Sequence, residues 1–162
     1  FTFSTKSVWW LDAGNGRDSG QVLIGNAPPD KLAGTFLNGP EVVLNLPFPT
    51  VQQPALLVPT VDARPAVDCA QAVVAGDQSP TINQAMATVV LEYTRRLLQG
   101  TLPWMATYLD LHAGTMTSVA ATPEQVARLT GVPVKTLVHQ WPGPKPCHWC
   151  GGIHEQQAPH EW

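Results

Sequence analysis

The sequence predicts an α+β chain. It reads as a β-rich N-terminal half, an antiparallel helical pair, a helix-turn-helix-like unit and a C-terminal tail stapled by zinc. Three observations predict this. Aromatic and β-branched runs, separated by Gly, Pro and Asn clusters, fill residues 1–65. Apolar residues recur at helical spacing between Ile82 and Leu98. Cys and His gather after residue 146 in a stretch with no hydrophobic period. At 162 residues and 44% hydrophobic, the chain is long and apolar enough to bury a core.

Phe1, Phe3, Val8, Trp9, Trp10 and Leu11 form the first strand-like stretch, closed by the turn-forming run DAGNGRDSG at 12–20. QVLIG at 21–25 is the return strand of a hairpin, and Pro28 and Pro29 stop it. EVVLNL at 41–46 is a third strand between Gly39-Pro40 and Pro47. ALLVPTV at 55–61 is a fourth, with Pro59 marking an edge or a bulge. Residues 66–75 are a short Ala/Val-rich helix or buried strand.

Ser79-Pro80 opens a helix, with Ser at the cap and Pro in the first turn. Ile82, Met86, Val89, Val90, Tyr93, Leu97 and Leu98 give it an apolar face, and Gly100 ends it. Thr101-Leu102-Pro103 opens a second helix through Trp104, Met105, Tyr108, Leu109 and Leu111, ending near Gly114 and packing antiparallel to the first. A boundary near residues 117–121 divides the chain into 1–116, β-rich with the helical pair, and 117–162.

Residues 122–141 read TPEQVARLTGVPVKTLVHQW. Thr122 and Gln125 form a capping box, Val126, Ala127 and Leu129 face inward, and Gly131 makes the turn in a left-handed conformation. Val132 and Leu137 pack a second helix back, with Trp141 closing it. The run V-A-x-x-x-G-V-x-x-x-T-L resembles the helix-turn-helix of MerR-like transcription regulators. That resemblance implies a recognition helix offering Lys135, Thr136, His139 and Gln140, with Arg128 on the DNA backbone. A helical hairpin used for packing or protein contact is the other reading of the same residues.

The tail places Cys147, Cys150, His154 and His160 in the pattern C-x2-C-x3-H-x5-H. Thiolates and imidazoles are the donors that tetrahedral zinc prefers. Gly151-Gly152 lets backbone amides turn back toward the two sulfurs. A polar tail without a core gains its fold from a bound ion. His148 is the rival to His160 as fourth ligand, and a redox C-x-x-C or an unstructured tail are the competing readings. The tail resembles a zinc knuckle, C-x2-C-x4-H-x4-C, over the same span from 147 to 160. It departs in the position of its first His and in ending on His160 where the knuckle has Cys. The resemblance implies base stacking, for which Trp149 and Trp162 are available, with Lys145 the only cation nearby and Glu155 and Glu161 opposing it.

Charged residues are only 13%, and nine Lys and Arg against twelve Asp and Glu leave a net charge of −3. That argues against a strongly basic nucleic-acid binder and against a chain disordered throughout. The stretch from Ala85 to Leu98 is interrupted by polar and charged residues, so no membrane span is expected. FTFSTKSVWW lacks the basic and apolar regions of a signal peptide. Three Cys form no even disulfide framework, and Cys69 reads as a small buried hydrophobe, as in a cytoplasmic or virion protein.

No phosphate-binding loop, nucleophile elbow or H-E-x-x-H helix occurs, and Asp110 and His112 sit two apart. No catalytic residue is assigned. Two functions follow as expectations: a non-catalytic structural or assembly protein, for example a virus or bacteriophage particle component with structural Zn2+, or a nucleic-acid-binding accessory protein using residues 122–162. The first accounts for the low charge and the many prolines, 16 in all.

Overall fold

The computed structural model describes residues 8–38, 43–58 and 69–140. The expected hairpin is present: β1 (Trp10–Asn15) pairs antiparallel with β2 (Ser19–Gly25), from Trp10 opposite Gly25 to Asn15 opposite Gly20. The strand runs four residues further than its apolar content indicated, and only Gly16–Asp18 turns. The Gly16 N–H donates to the Ser19 carbonyl at 2.8 Å. A 3-10 turn at Pro29–Lys31 leads to β3 (Phe36–Asn38).

Residues 43–58 depart from expectation. Val43 makes a single bridge to Phe36, and Leu44 N–H donates to the Thr35 carbonyl at 2.9 Å. The Asn26 side chain and the backbone share the other ties: its amide donates to the Leu44 carbonyl at 3.2 Å, its oxygen accepts from Leu46 N–H at 2.8 Å, and the Leu46 carbonyl accepts from the Asn26 and Ala27 N–H groups at 2.9 and 3.0 Å. So 43–46 is chain tied by isolated backbone bonds and one side chain, with no continuous ladder. After α1 (Pro49–Gln52), Pro54–Leu57 is a 3-10 turn where the first part of the fourth strand was expected, and 59–61 lie outside the described residues. Pro54 fits the start of a helical turn, and Leu57 and Val58 are exposed, so this segment has no buried sheet face.

α2 (Cys69–Val74) settles the helix-or-strand alternative of its segment as helix. α3 (Pro80–Leu98) begins at the expected cap, where the Ser79 hydroxyl accepts from Thr81 N–H at 3.2 Å. The second helix of the expected pair is absent. Trp104–Asp110 is a strand, β4, and Thr115–Ala120 is another, β5, joined by the turn at 111–114. Pro103 and that turn leave only seven residues between them, too few for a helix to be stable without tertiary support. Pairing with β2 satisfies their backbone instead. The four-stranded sheet has the order β1-β2-β4-β5, antiparallel throughout.

β2 is central, and Val22, Leu23 and Ile24 are fully buried. α3 packs on the face that carries Val22 and Ile24. A Cβ on Gly20 would sit 2.5 Å from Met86 Sδ, so Gly20 leaves the space that the Met86 side chain of α3 fills. Asn15 donates to Asn83 at 2.5 Å, and Tyr93 reaches Thr107 on β4 at 2.8 Å. Thr107 in turn meets Ser118 on β5 at 2.8 Å, so a chain of hydroxyls joins the helix to two strands. β4 and β5 shift register between Trp104 and Ala106, and Trp104 lies beside Tyr93 with ring centroids 6.1 Å apart.

The chain closes with α4 (Pro123–Thr130), α5 (Val134–Leu137) and β6 (Val138–Gln140), which pairs in parallel with β3. Val126 and Leu137 are fully buried in the same core as Ile82 and Tyr93. The boundary expected after residue 116 falls inside β5, and the β3–β6 pairing joins segments from either side of it. No helix among the described residues is long and apolar enough to cross a membrane.

Candidate functional site

Residues 122–140 form two short helices with Gly131 between them at φ 75°. The Thr122 hydroxyl accepts from Gln125 N–H at 3.3 Å, which is half of the expected capping box. The Gln125 side chain does not return to the cap; it accepts from Arg128 at 3.3 Å. Val126 points inward as expected, but Leu129 is 37% exposed. The second helix has only four residues. Val138 is extended (φ −93°, ψ 120°), so His139 and Gln140, expected on that helix, lie on β6. Pro133 fixes the start of α5, and β3 offers a parallel partner that ends it after one turn.

Of the expected nucleic-acid contacts, Arg128, Lys135, Thr136 and His139 are exposed. The Thr136 carbonyl accepts from Gly34 N–H at 2.9 Å, which ties α5 to the loop before β3. A recognition helix presents several side chains along a groove over more than one turn. Here one turn carries Lys135 and Thr136, and the rest of the surface is strand. Lys145 and Trp149 lie outside the described residues, as do the expected zinc ligands Cys147, Cys150, His154 and His160. Among the described residues no group of three or more His, Cys, Asp and Glu could hold a metal ion. Asp110 is used locally: its carboxylate accepts from Ala113 N–H at 2.9 Å.

α3 has two faces. The inner one carries Ile82, Met86 and Tyr93, with Val89, Val90 and Leu97 partly buried beside them. Leu98, expected on this face, points away. It joins Gln84, Ala87, Leu91 and Thr94 in an exposed stripe spaced three and four residues apart. Leu91 is 69% exposed and Leu98 74%. Next to the stripe, Glu92 accepts from Arg95 at 2.7 Å and from Arg96 at 2.6 Å. Hydrogen bonds from Arg95 and then Arg96 pull the Glu92 carboxyl down to about 2. The Arg96 guanidinium also lies 4.6 Å from the centre of a Trp104 ring. Glu92 thus engages both arginines of the helix beside the stripe, and none of Gln84, Ala87, Leu91, Thr94 and Leu98 is charged. The sequence did contain this signal, as a second set of positions interleaved with the inner face.

A second surface feature lies at the turn end of the sheet. Two cross-strand rows, Gly14–Gln21–Tyr108–Thr117 and Ser19–Asp110–Thr115, floor a shallow groove of about 490 Å³. Its side chains come from strands β4 and β5 as well as from the hairpin, so reading 101–114 as a helix concealed it. No protein-family model, curated protein or solved structure matches the chain.

Proposed function

We propose that this chain is a non-catalytic structural or assembly protein that associates with further copies of itself through the outer stripe of α3, as a subunit of a particle such as that of a virus or bacteriophage would. The observation that carries the reading is the exposure of Leu91 and Leu98 at seven-residue spacing on an uncharged helix face. Water gains nothing from such a face, while a second identical helix covers it by interdigitating side chains. A two-fold contact uses the same patch twice, and an uncharged patch sets no like charges against each other. The low charge of the whole chain supports the same reading. A zinc ion on Cys147, Cys150, His154 and His160 would staple the tail.

The nucleic-acid reading draws on Arg128, Lys135, Thr136 and His139, which are exposed near one another in sequence. The single turn of α5 gives it less support than the α3 stripe gives assembly.

The test is native mass spectrometry of the full chain across a concentration series, with and without a chelator. The expected result is a population of dimers or larger species that Leu91→Glu with Leu98→Glu converts to monomer. A parent chain that stays monomeric at every concentration overturns self-assembly. Steeply salt-dependent binding to DNA or RNA would favour the second reading.

A further inference from the structure

We propose that the groove at the turn end of the four-stranded sheet is a binding site for a neutral saccharide, independent of the assembly surface on α3. The argument starts from the register. The pairing places Gln21, Tyr108 and Thr117 side by side across three strands, and Ser19, Asp110 and Thr115 in the next row on the same face. Gly14 completes the first row and has no side chain to fill the groove. Four strands spaced about 4.8 Å apart give a flat floor about 14 Å across. The volume of about 490 Å³ falls within the range of small-molecule sites.

The chemistry of the lining selects the ligand class. Hydroxyls of Ser19, Tyr108, Thr115 and Thr117 and the amide of Gln21 can each donate and accept. A ligand rich in hydroxyls is their complement, because each of its groups also does both. No Lys, Arg or His lines the groove, and the one charged group, Asp110, is a carboxylate. That disfavours phosphates, sulfates and acidic sugars. The Asp110 carboxylate accepts from the backbone Ala113 N–H at 2.9 Å, which helps to orient it as an acceptor. Tyr108 is 39% exposed on an otherwise flat strand surface. Its ring offers an apolar face for the C–H side of a sugar, and its hydroxyl offers a polar tip. The groove is too open and too polar for an apolar ligand, which would need enclosure.

The experiment uses the full chain on an array of neutral oligosaccharides printed beside sialylated and sulfated ones. Each retained glycan is then titrated into isotope-labelled protein and followed by amide NMR. The expected result is retention on neutral glycans, with the amide shifts of Gly14, Gly16 and Gly20 moving and those of α4 unmoved. Tyr108→Ala should weaken binding at least tenfold. Gly14→Ile should do the same by occupying the groove, and an added Cβ there meets nothing within 4 Å, so the variant is expected to fold. Thr117→Val, which keeps the side-chain shape, should weaken it less. Silence across the neutral glycans overturns the proposal. So does retention only on charged glycans, or shifts that avoid these glycines.

Discussion

Tyr93 on α3 and Thr107 on β4 share a hydrogen bond of 2.8 Å between their hydroxyls, buried between helix and sheet. Thr107 also meets Ser118 at 2.8 Å, so removing the Tyr93 hydroxyl leaves Thr107 with a partner. Tyr93→Phe should therefore cost only about 1 kcal/mol in a denaturant melt, the usual net worth of one hydrogen bond. Tyr93→Ala also opens a cavity and should cost about 3–5 kcal/mol. Equal losses for the two variants would show that the hydroxyl, and not the ring, anchors α3.

Burial holds the Tyr93 phenol up at about 12, and the hydrogen bond to Thr107 opposes this only in part. The unfolded chain ionises this group near 10, and the folded chain resists until about 12. Above pH 10 the unfolded state binds fewer protons, so stability should fall as the pH rises toward 12. Tyr93→Phe should flatten that slope in melts taken from pH 9 to 12. A slope that survives the substitution would assign the alkaline loss to another group.

Gly131 has φ 75°, a conformation that costs a β-branched residue about 1 kcal/mol or more. Gly131→Val is expected to lower stability by at least that much, since nothing crowds the site and the cost is purely of backbone. If this variant melts with the parent, the joint between α4 and α5 adapts and the left-handed turn is not required.

How much of this was legible in the sequence depended on whether local signals competed. Ser79, Pro80 and the 82–93 spacing agree with one another, and α3 formed where they pointed. Gly131 after an amphipathic segment also permitted one geometry. Residues 104–110 were ambiguous: Trp104, Tyr108 and Leu111 fit a helix face, while Thr107 and Tyr108 favour a strand. Only the need of β2 for a second partner decided between them, and that is a long-range fact. The mixed side-chain and backbone ties of Asn26 to 44–46 left no periodic trace either. The groove was invisible for the same reason, because its rows exist only once β2, β4 and β5 are in register. The proposed zinc ligands rest on the opposite kind of signal, a spacing that is entirely local, and they lie outside the described residues.

Glu92 gives an acid-side prediction. Its carboxyl is held at about 2 by Arg95 and Arg96, below its ordinary 4.5. The contribution is complete above pH 4.5 and is lost as pH falls toward 2. The pair is exposed and screened, so the effect is small and should shrink in high salt. The melting-temperature gap between the parent and Glu92→Gln should close from pH 5 to pH 2. A gap that stays constant over that window would mean that the carboxylate's charge is not what stabilises the helix.

The tail gives the last prediction: one zinc per chain, bound by Cys147, Cys150, His154 and His160. Two thiolates and two imidazoles satisfy tetrahedral zinc without a water, and all four fall within a segment short enough to close around one ion. The cobalt-substituted chain should show thiolate charge-transfer bands. Cys147→Ser or Cys150→Ser should abolish them, whereas Cys69→Ser should not. His160→Ala and His148→Ala, compared in zinc affinity, decide which imidazole is the fourth ligand, and the larger loss identifies it. Chelation should spare the melting of the sheet and α3, which pack on each other through Ile82, Met86 and Tyr93 among the described residues. Metal analysis of the purified chain giving well under one equivalent, or unfolding of α3 on chelation, would falsify this assignment of a local staple.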